Sequence, residues 1–345
     1  MVGGSELRAI TLNNAIIEHT PHESFLFAER NIPERLEKLL DPKVKLYKNL
    51  FAPNEEAIEA LYGLDCLLIV NSDMKSACLS DYWRGLSEQH STEIDLRRIK
   101  QMVFLFNFLV SPARHLYTIE RYCKNIKIIT TNRKFFDEIT SQDRYELARH
   151  FPRMILESPI NPNLYTTEKT ESTAIRIGCH SKTPDFKWNE DWPKLIVKCK
   201  ERLKDKIEFD FMGMSSKRAA EVKKTGIPLI IRKENEISVK EFLTGIDIFT
   251  FYPSASREEP WARCNGEAMA SACPILTIPK GGNLDQVING NNGYLCKKTD
   301  DFFKRIVELV EHPEKIKMMA ENSLRLSRNF TSEKVINRFL EFINA

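Results

Sequence analysis

Glu259-Pro-Trp-Ala-Arg-Cys-Asn-Gly-Glu267 runs directly into Ala268-Met-Ala-Ser-Ala-Cys-Pro-Ile-Leu276. Two carboxylates stand eight positions apart, and Gly266 precedes the second. The pattern predicts a short helix over 267–270 with Glu267 in its first turn, closed by Cys273-Pro274 and followed at once by an apolar strand over 274–278. Helix running straight into buried strand is the repeating step of an α/β fold. A carboxylate accepts two hydroxyl hydrogen bonds in fixed geometry, so one on a loop and one at a helix start clasp a polyol. The same helix start presents unpaired backbone N–H groups and a positive dipole end to a phosphate. A nucleotide-sugar carries both groups. Spacing alone leaves a solvated Glu pair beside a helix start as an equal reading.

Outward from this stretch the alternation continues. In the second half, strands are predicted at 174–179, 207–212, 228–231, 246–251 and 274–278, and helices at 192–202, 217–224, 239–243, 300–311, 313–328 and 332–343. In the first half, strands are expected at 24–28, 43–47, 66–71, 103–108 and 126–130, with helices at 5–18, 32–40, 54–61, 94–101 and 133–139. The breaker-rich, aperiodic stretch from Ser158 to Thr173 has no element of its own and holds a linker at 161–173. The expected organisation is α/β: a Rossmann-like domain at 1–160, a second at 174–330, and a last helix at 331–345.

At 345 residues the chain has room for two cores, and 42% hydrophobic with 29% charged residues describes an ordinary globular protein. A net charge of +3 is too small for a nucleic-acid binder. Basic residues between Lys194 and Lys206 are spaced like the wet side of an amphipathic helix; contact of such a helix with anionic lipid stays open. No apolar run reaches bilayer length and no signal peptide is expected, so the expected compartment is the cytoplasm, with membrane association as a variant. The 8 Cys and 7 His are scattered, with no CxxC, HxH or HxxxH, so free thiols and no metal are expected.

From Glu259 to Asn292 the chain resembles the C-terminal domain of family 4 glycosyltransferases, retaining enzymes of GT-B architecture with two Rossmann-like doubly wound domains facing a central cleft. The resemblance rests on Glu259, on Glu267-Ala-Met-Ala with its following Cys-Pro and strand, on Gly281-Gly282-Asn-Leu-Asp285, and on Asn289-Gly-Asn-Asn-Gly293. It implies that Glu267 holds the donor ribose, Glu259 faces the transferred sugar, and Lys187 meets the diphosphate. The family also has an Arg before that Lys; here His180 or Lys182 stands in for it. Pro260 and Ala262 replace the two glycines of the family's Gly-Phe-Gly in the loop of Trp261, Ala262 and Arg263 that follows Glu259, with Arg263 restoring positive charge near the phosphates or making a surface ion pair. Gly281 and Gly282 allow a backbone to come close to the ligand, or form a plain turn. The base is expected at Ile231-Arg232 and Tyr252-Pro253-Ser254.

Gly3 and Gly4 before Ser5 resemble the family's N-terminal glycine loop, with a capped helix after a free end as the alternative; only Met1 and Val2 stand where the family has a strand before that loop, so either the sheet lacks that strand or the sequence starts short of it. Asn107 takes the place of a His near the reacting carbon, and Arg114 and His115 are weaker acceptor-site candidates. The implied activity moves a sugar from a nucleotide diphosphate sugar to a glycan, lipid-linked or other hydroxyl acceptor with retention, as in polysaccharide biosynthesis, without a cofactor. Two alternatives remain: a non-catalytic GT-B-fold glycan-binding or partner subunit, and a sugar-nucleotide epimerase of GT-B shape.

Overall fold

A computed structural model describes residues 4–28, 32–48, 54–71, 96–106, 123–141, 149–254, 256 and 258–345. The chain divides into two compact units: unit 1 comprises Met1–Pro159 and Ser332–Ala345, and unit 2 comprises Ile160–Thr331.

Unit 1 runs α1 (Gly4–His19), β1 (Phe25–Phe27), α2 (Glu34–Glu37), β2 (Lys45–Tyr47), α3 (Glu55–Gly63), β3 (Leu67–Asn71), β4 (Met102–Phe106), β5 (Ile126–Thr130), α4 (Arg133–Ser141) and β6 (Arg153–Ile155). Among the described residues its strands form two parallel sheets, β1-β2 and β3-β4-β5-β6, and α1 packs against both β1 and β3. Strands β4 and β5 are buried along their whole length. Their alternate side chains feed two layers, because successive residues of a strand face opposite ways. Met102, Phe104 and Phe106 join Leu61 and Ile139 on one side, while Val103 and Leu105 join Leu12 on the other.

One predicted helix shrinks: the stretch 32–40 keeps only α2, with Leu36 as its single buried anchor. Of the predicted helix at 94–101, residues 94 and 95 lie outside the described residues, and Leu96–Arg98 form a 3-10 turn before the strand that begins at Met102. Gly4 is the first residue of α1 and Ser5 the second, while Gly3 lies outside the described residues.

Unit 2 runs β7 (Ile175–His180), α5 (Trp192–Leu203), β8 (Ile207–Met212), α6 (Ser216–Lys223), β9 (Ile230–Arg232), α7 (Val239–Thr244), β10 (Ile248–Phe251), α8 (Arg263–Ala270), β11 (Ile275–Thr277), α9 (Asn283–Gln286), β12 (Gly293–Leu295), α10 (Thr299–Glu311) and α11 (Pro313–Ser327). Local chemistry sets several starts. Ser215 and Ser238 cap α6 and α7 by accepting from Arg218 N at 3.2 Å and Glu241 N at 3.1 Å. Phe302, Ile306, Leu309 and Val310 form the buried stripe of α10.

The six strands are all parallel in the order β12-β11-β10-β7-β8-β9. The chain therefore starts in the middle, builds one side through β8 and β9, then returns to build the other from β10. Loops leaving β7 and β10 diverge, and doubly wound sheets bind ligands in the crevice this creates at the carboxyl ends of the strands.

The last helix, α12 (Ser332–Asn344), belongs to unit 1, where Val335, Ile336 and Phe339 pack with Val103, Leu105 and Ile129. Lys127 Nζ donates to its terminal carbonyls, Phe342 O at 2.7 Å and Ile343 O at 3.0 Å. No helix among the described residues is long and apolar enough to cross a membrane.

Candidate functional site

The two loops at the switch point of unit 2 are stitched together by their own backbones. After β7 the chain makes a 3-10 turn at Asp185–Lys187 and then buries Trp188, whose Nε1 donates to Lys182 O at 3.0 Å. After β10, Ser254 N donates to Phe186 O at 3.1 Å. Asn189 donates from N to Tyr252 O and from Nδ2 to Pro253 O, both at 2.9 Å. With the loops so fixed, Lys187 Nζ reaches Glu259 Oε1 at 2.6 Å, and only 6% of Glu259 is exposed.

The loop of Glu259 rests on Gly281 and Gly282. Gly282 N donates to Glu259 O at 2.9 Å. A Cβ at Gly282 would stand 2.3 Å from the Pro260 carbonyl oxygen, and one at Gly281, where φ is +54°, 2.3 Å from the Glu259 carbonyl oxygen. On this side the space beside the glycines is filled by the Glu259-Pro260 backbone. The pair sets the height of that loop, a role the sequence reading gave to ligand approach or a turn.

Glu267 sits differently from the expectation. Helix α8 begins at Arg263, with Ala262 as its N-cap position, so Gly266 lies inside it and Glu267 in its second turn. Glycine is tolerated there because a Cβ would meet Ile160 Cδ1 at 2.0 Å. The early start places Arg263 one turn before Glu267, and Arg263 Nε donates to Glu267 Oε1 at 2.9 Å. The partner of Arg263 is thus the half of the carboxylate pair it precedes, and α8 turns the N–H groups of Arg263 and Cys264 outward at its start.

His180 closes the other side. It ends β7, is 7% exposed, and lies edge-on to Phe242 with ring centroids 5.7 Å apart. Its Nε2 is 3.4 Å from Glu267 Oε2 yet makes no hydrogen bond. Burial holds its pKa below the usual value against the pull of the Glu267 charge, with Arg263 adding to the lowering, so the ring is neutral near pH 7. Tyr165, which lies in the stretch expected to be a linker, packs against the core of unit 2, and burial is the largest cause of its raised pKa. An aromatic in a Thr-, Glu- and Lys-rich stretch was the available signal, since it must be buried somewhere. Burial raises the pKa of Cys264, with Lys187 opposing and Glu267 and Glu259 adding to the rise. The site therefore holds two ion groups beside the neighbouring strands β7 and β10, Lys187 with Glu259, and His180 and Arg263 with Glu267.

Other expectations separate from it. Arg232 is held by Asp210 through Nε to Oδ1 at 3.1 Å and Nη2 to Oδ2 at 3.0 Å. Tyr252 is no stacking platform. Its ring packs on Phe302 with centroids 4.2 Å apart and its hydroxyl meets Thr299 Oγ1 at 3.1 Å inside the core. Trp261 and Ala262 are buried, Trp261 against Phe330 with centroids 5.0 Å apart. Asn107, Arg114 and His115 lie outside the described residues. Among the described residues no group of three or more His, Cys, Asp or Glu side chains is placed to hold a metal ion.

Residues 194–325 match the family model described as glycosyl transferases group 1. Over 94 residues the chain is 33% identical to spore coat protein SA of Bacillus subtilis (strain 168), a match covering 26% of this chain and only 25% of that protein. The whole chain resembles solved structures. HepE of Anabaena, in complex with UDP-glucose, gives a TM-score of 0.73 at 13% identity, covering 100% of this chain and 96% of that one. A glycosyltransferase from Rickettsia africae gives 0.73 at 14%, covering 99% and 94%. The fold is the GT-B type that the sequence resemblance implied, built on parallel α/β sheets.

Proposed function

We propose, for a chain of GT-B fold whose unit 2 carries a group 1 glycosyl transferase segment, that it transfers a sugar from a nucleoside diphosphate sugar to a hydroxyl acceptor. The observation that supports this reading is the presence of two ion groups, Lys187 with Glu259 and His180 with Glu267, at and after the ends of the adjacent strands β7 and β10, the switch point of the unit 2 sheet. The donor complex of HepE, whose reported ligand is UDP-glucose, supports a nucleoside diphosphate sugar as the class of donor.

In this reading the diphosphate takes Lys187 from Glu259. The released carboxylate then faces the sugar, while the open N–H groups at the start of α8 and Lys182 share the phosphate charge. Glu267 holds the ribose. The leaving phosphate accepts the acceptor proton as the new bond forms on the same face, which gives retention without a protein base. Arg232 contributes to the base site through its backbone, since its guanidinium is committed to Asp210.

One observation favours a second reading, a non-catalytic glycan-binding or partner subunit: each cation of the two groups is already neutralised by a carboxylate. Turnover separates the two. Nucleotide release from UDP-, GDP- and ADP-sugars is measured with a panel of sugar and lipid-linked acceptors, in the parent protein and in Lys187→Ala and Glu267→Ala. Acceptor-dependent release lost at least tenfold in both variants supports transfer. Release that is absent from the parent, or unchanged in the variants, refutes it.

A further inference from the structure

The loop that carries Glu259 is clamped at both ends by one short helix. Gly282 N, just before α9, donates to Glu259 O at 2.9 Å, and Gln286 Nε2, at the end of α9, donates to Ala262 O at 2.8 Å. A helix of four residues has too few internal bonds to hold its own place. That place is set by Asn265 of α8, two residues before Glu267, whose Nδ2 donates to Asn283 Oδ1 at 3.0 Å and to Gln286 Oε1 at 3.2 Å. Asn283 Nδ2 donates in turn to Ile278 O at 3.1 Å, one residue beyond β11. All three amides are buried, none more than 1% exposed.

Every bond in this network has a forced direction. The carbonyls of Ile278 and Ala262 only accept, so Asn283 and Gln286 must turn their NH2 groups to them and their oxygens to Asn265. Asn265 must then present its own NH2, and its Oδ1 is left buried with no partner among the described residues. An unmet buried acceptor costs stability that an apolar side chain of similar shape would keep. Two directed donors fix one arrangement of α8 and α9, which an apolar contact would leave free to slide.

We propose that Asn265 is a positioning residue for donor binding: through α9 it sets the loop of Glu259 against the helix that carries Glu267, so that the sugar and the ribose of one donor are met together. This rests on the proposed function, in which those two carboxylates face those two groups. The role concerns the part of the affinity that the sugar adds or removes, and leaves binding of the nucleotide alone to α8.

Calorimetric titrations with UDP, GDP and ADP and with UDP-, GDP- and ADP-glucose test it, read as the ratio of affinities for the sugar-bearing and sugar-free forms of the best base. Gln286→Met removes the donor to Ala262 O at nearly constant length. Asn265→Leu/Asn283→Leu/Gln286→Met makes the whole network apolar, and the carbonyls of Ala262 and Ile278 keep backbone donors, Asn265 N at 3.1 Å and Lys280 N at 2.9 Å. Both variants are expected to shift the ratio about 3–10-fold while affinity for the diphosphate stays within about threefold, the worth of one hydrogen bond. Ile306→Val, which thins the buried stripe of α10, is a destabilised control expected to keep the parent's ratio. An unchanged ratio in the two network variants, an equal fall of both affinities, or failure of both variants to fold marks the amides as purely structural and overturns the role. A parent that binds none of the six ligands, or only the diphosphates, overturns the reading of Glu259 as the sugar-facing group and the role with it.

Discussion

Replacing Lys187 by Met removes the cation from a carboxylate whose side chain is only 7% exposed. At the observed 2.6 Å the attraction is about 6 kcal/mol with an effective dielectric near 20, before either ion's dehydration is subtracted. Dehydration offsets most of that, so the net worth of the intact pair is small and the larger loss comes from stranding Glu259. Breaking such a pair costs about 3–5 kcal/mol; the lower end applies here because Glu259 has further partners. For a unit of this size that lowers the melting temperature by about 6–12 °C. Trp188 and Trp192 are both fully buried in unit 2, so their fluorescence follows its unfolding in urea. The double variant Lys187→Met/Glu259→Gln, which carries neither charge, is expected to recover to within about 1 kcal/mol of the parent. If Lys187→Met costs under about 0.5 kcal/mol and its effect adds to that of Glu259→Gln, the pair behaves as an ordinary exposed one and the reading of a buried, coupled pair is wrong.

Gly282→Ala is expected to lose about 1–3 kcal/mol and weaken nucleotide binding, because its Cβ would press on the Pro260 carbonyl. Gly63→Ala, facing open space, is expected to be neutral in the same urea titrations. His180 faces the charged Glu267 and Arg263 and the rings of Phe242 and Phe249. Its pKa is depressed in the folded state, so its contribution to stability is complete above about 6.5 and is lost as pH falls below that value. His180→Gln should flatten the fall in melting temperature between about pH 6.5 and 5, and an unchanged slope would remove His180 as its source. Glu308 accepts from Tyr294, Arg305 and Lys315, and these bonds outweigh burial to bring its pKa to about 2. The stability it adds is present above the ordinary value of 4.5 and disappears as pH falls toward 2. Calorimetry of Glu308→Gln in that window should show a shallower acid limb than the parent.

Much of unit 2 was legible locally. Strands at 207–212 and helices at 192–202 and 300–311 are found within a residue or two of their predicted places, since a buried stripe repeats every turn and a buried strand is a short apolar run. The three-residue strands Arg153–Ile155 and Gly293–Leu295 were not, because so short a run carries no period; only pairing with a neighbour makes them strands. The start of α8 was misplaced for a related reason. Gly266 reads as a helix boundary in sequence, and only Ile160 packed against it explains a glycine in the interior.

The sequence by itself determined the alternating α/β plan, the pair of acid groups at Glu259 and Glu267, and the Lys at 187, all features of local spacing and residue type. Tertiary structure decided what those groups do to one another. Lys187 follows β7 and Glu259 follows β10, and they meet because the sheet sets those strands side by side. His180 reaches Glu267 through the same convergence. Distance along the chain says nothing about such partners, since strand order is fixed by burying both faces of the sheet at once and no single segment encodes it.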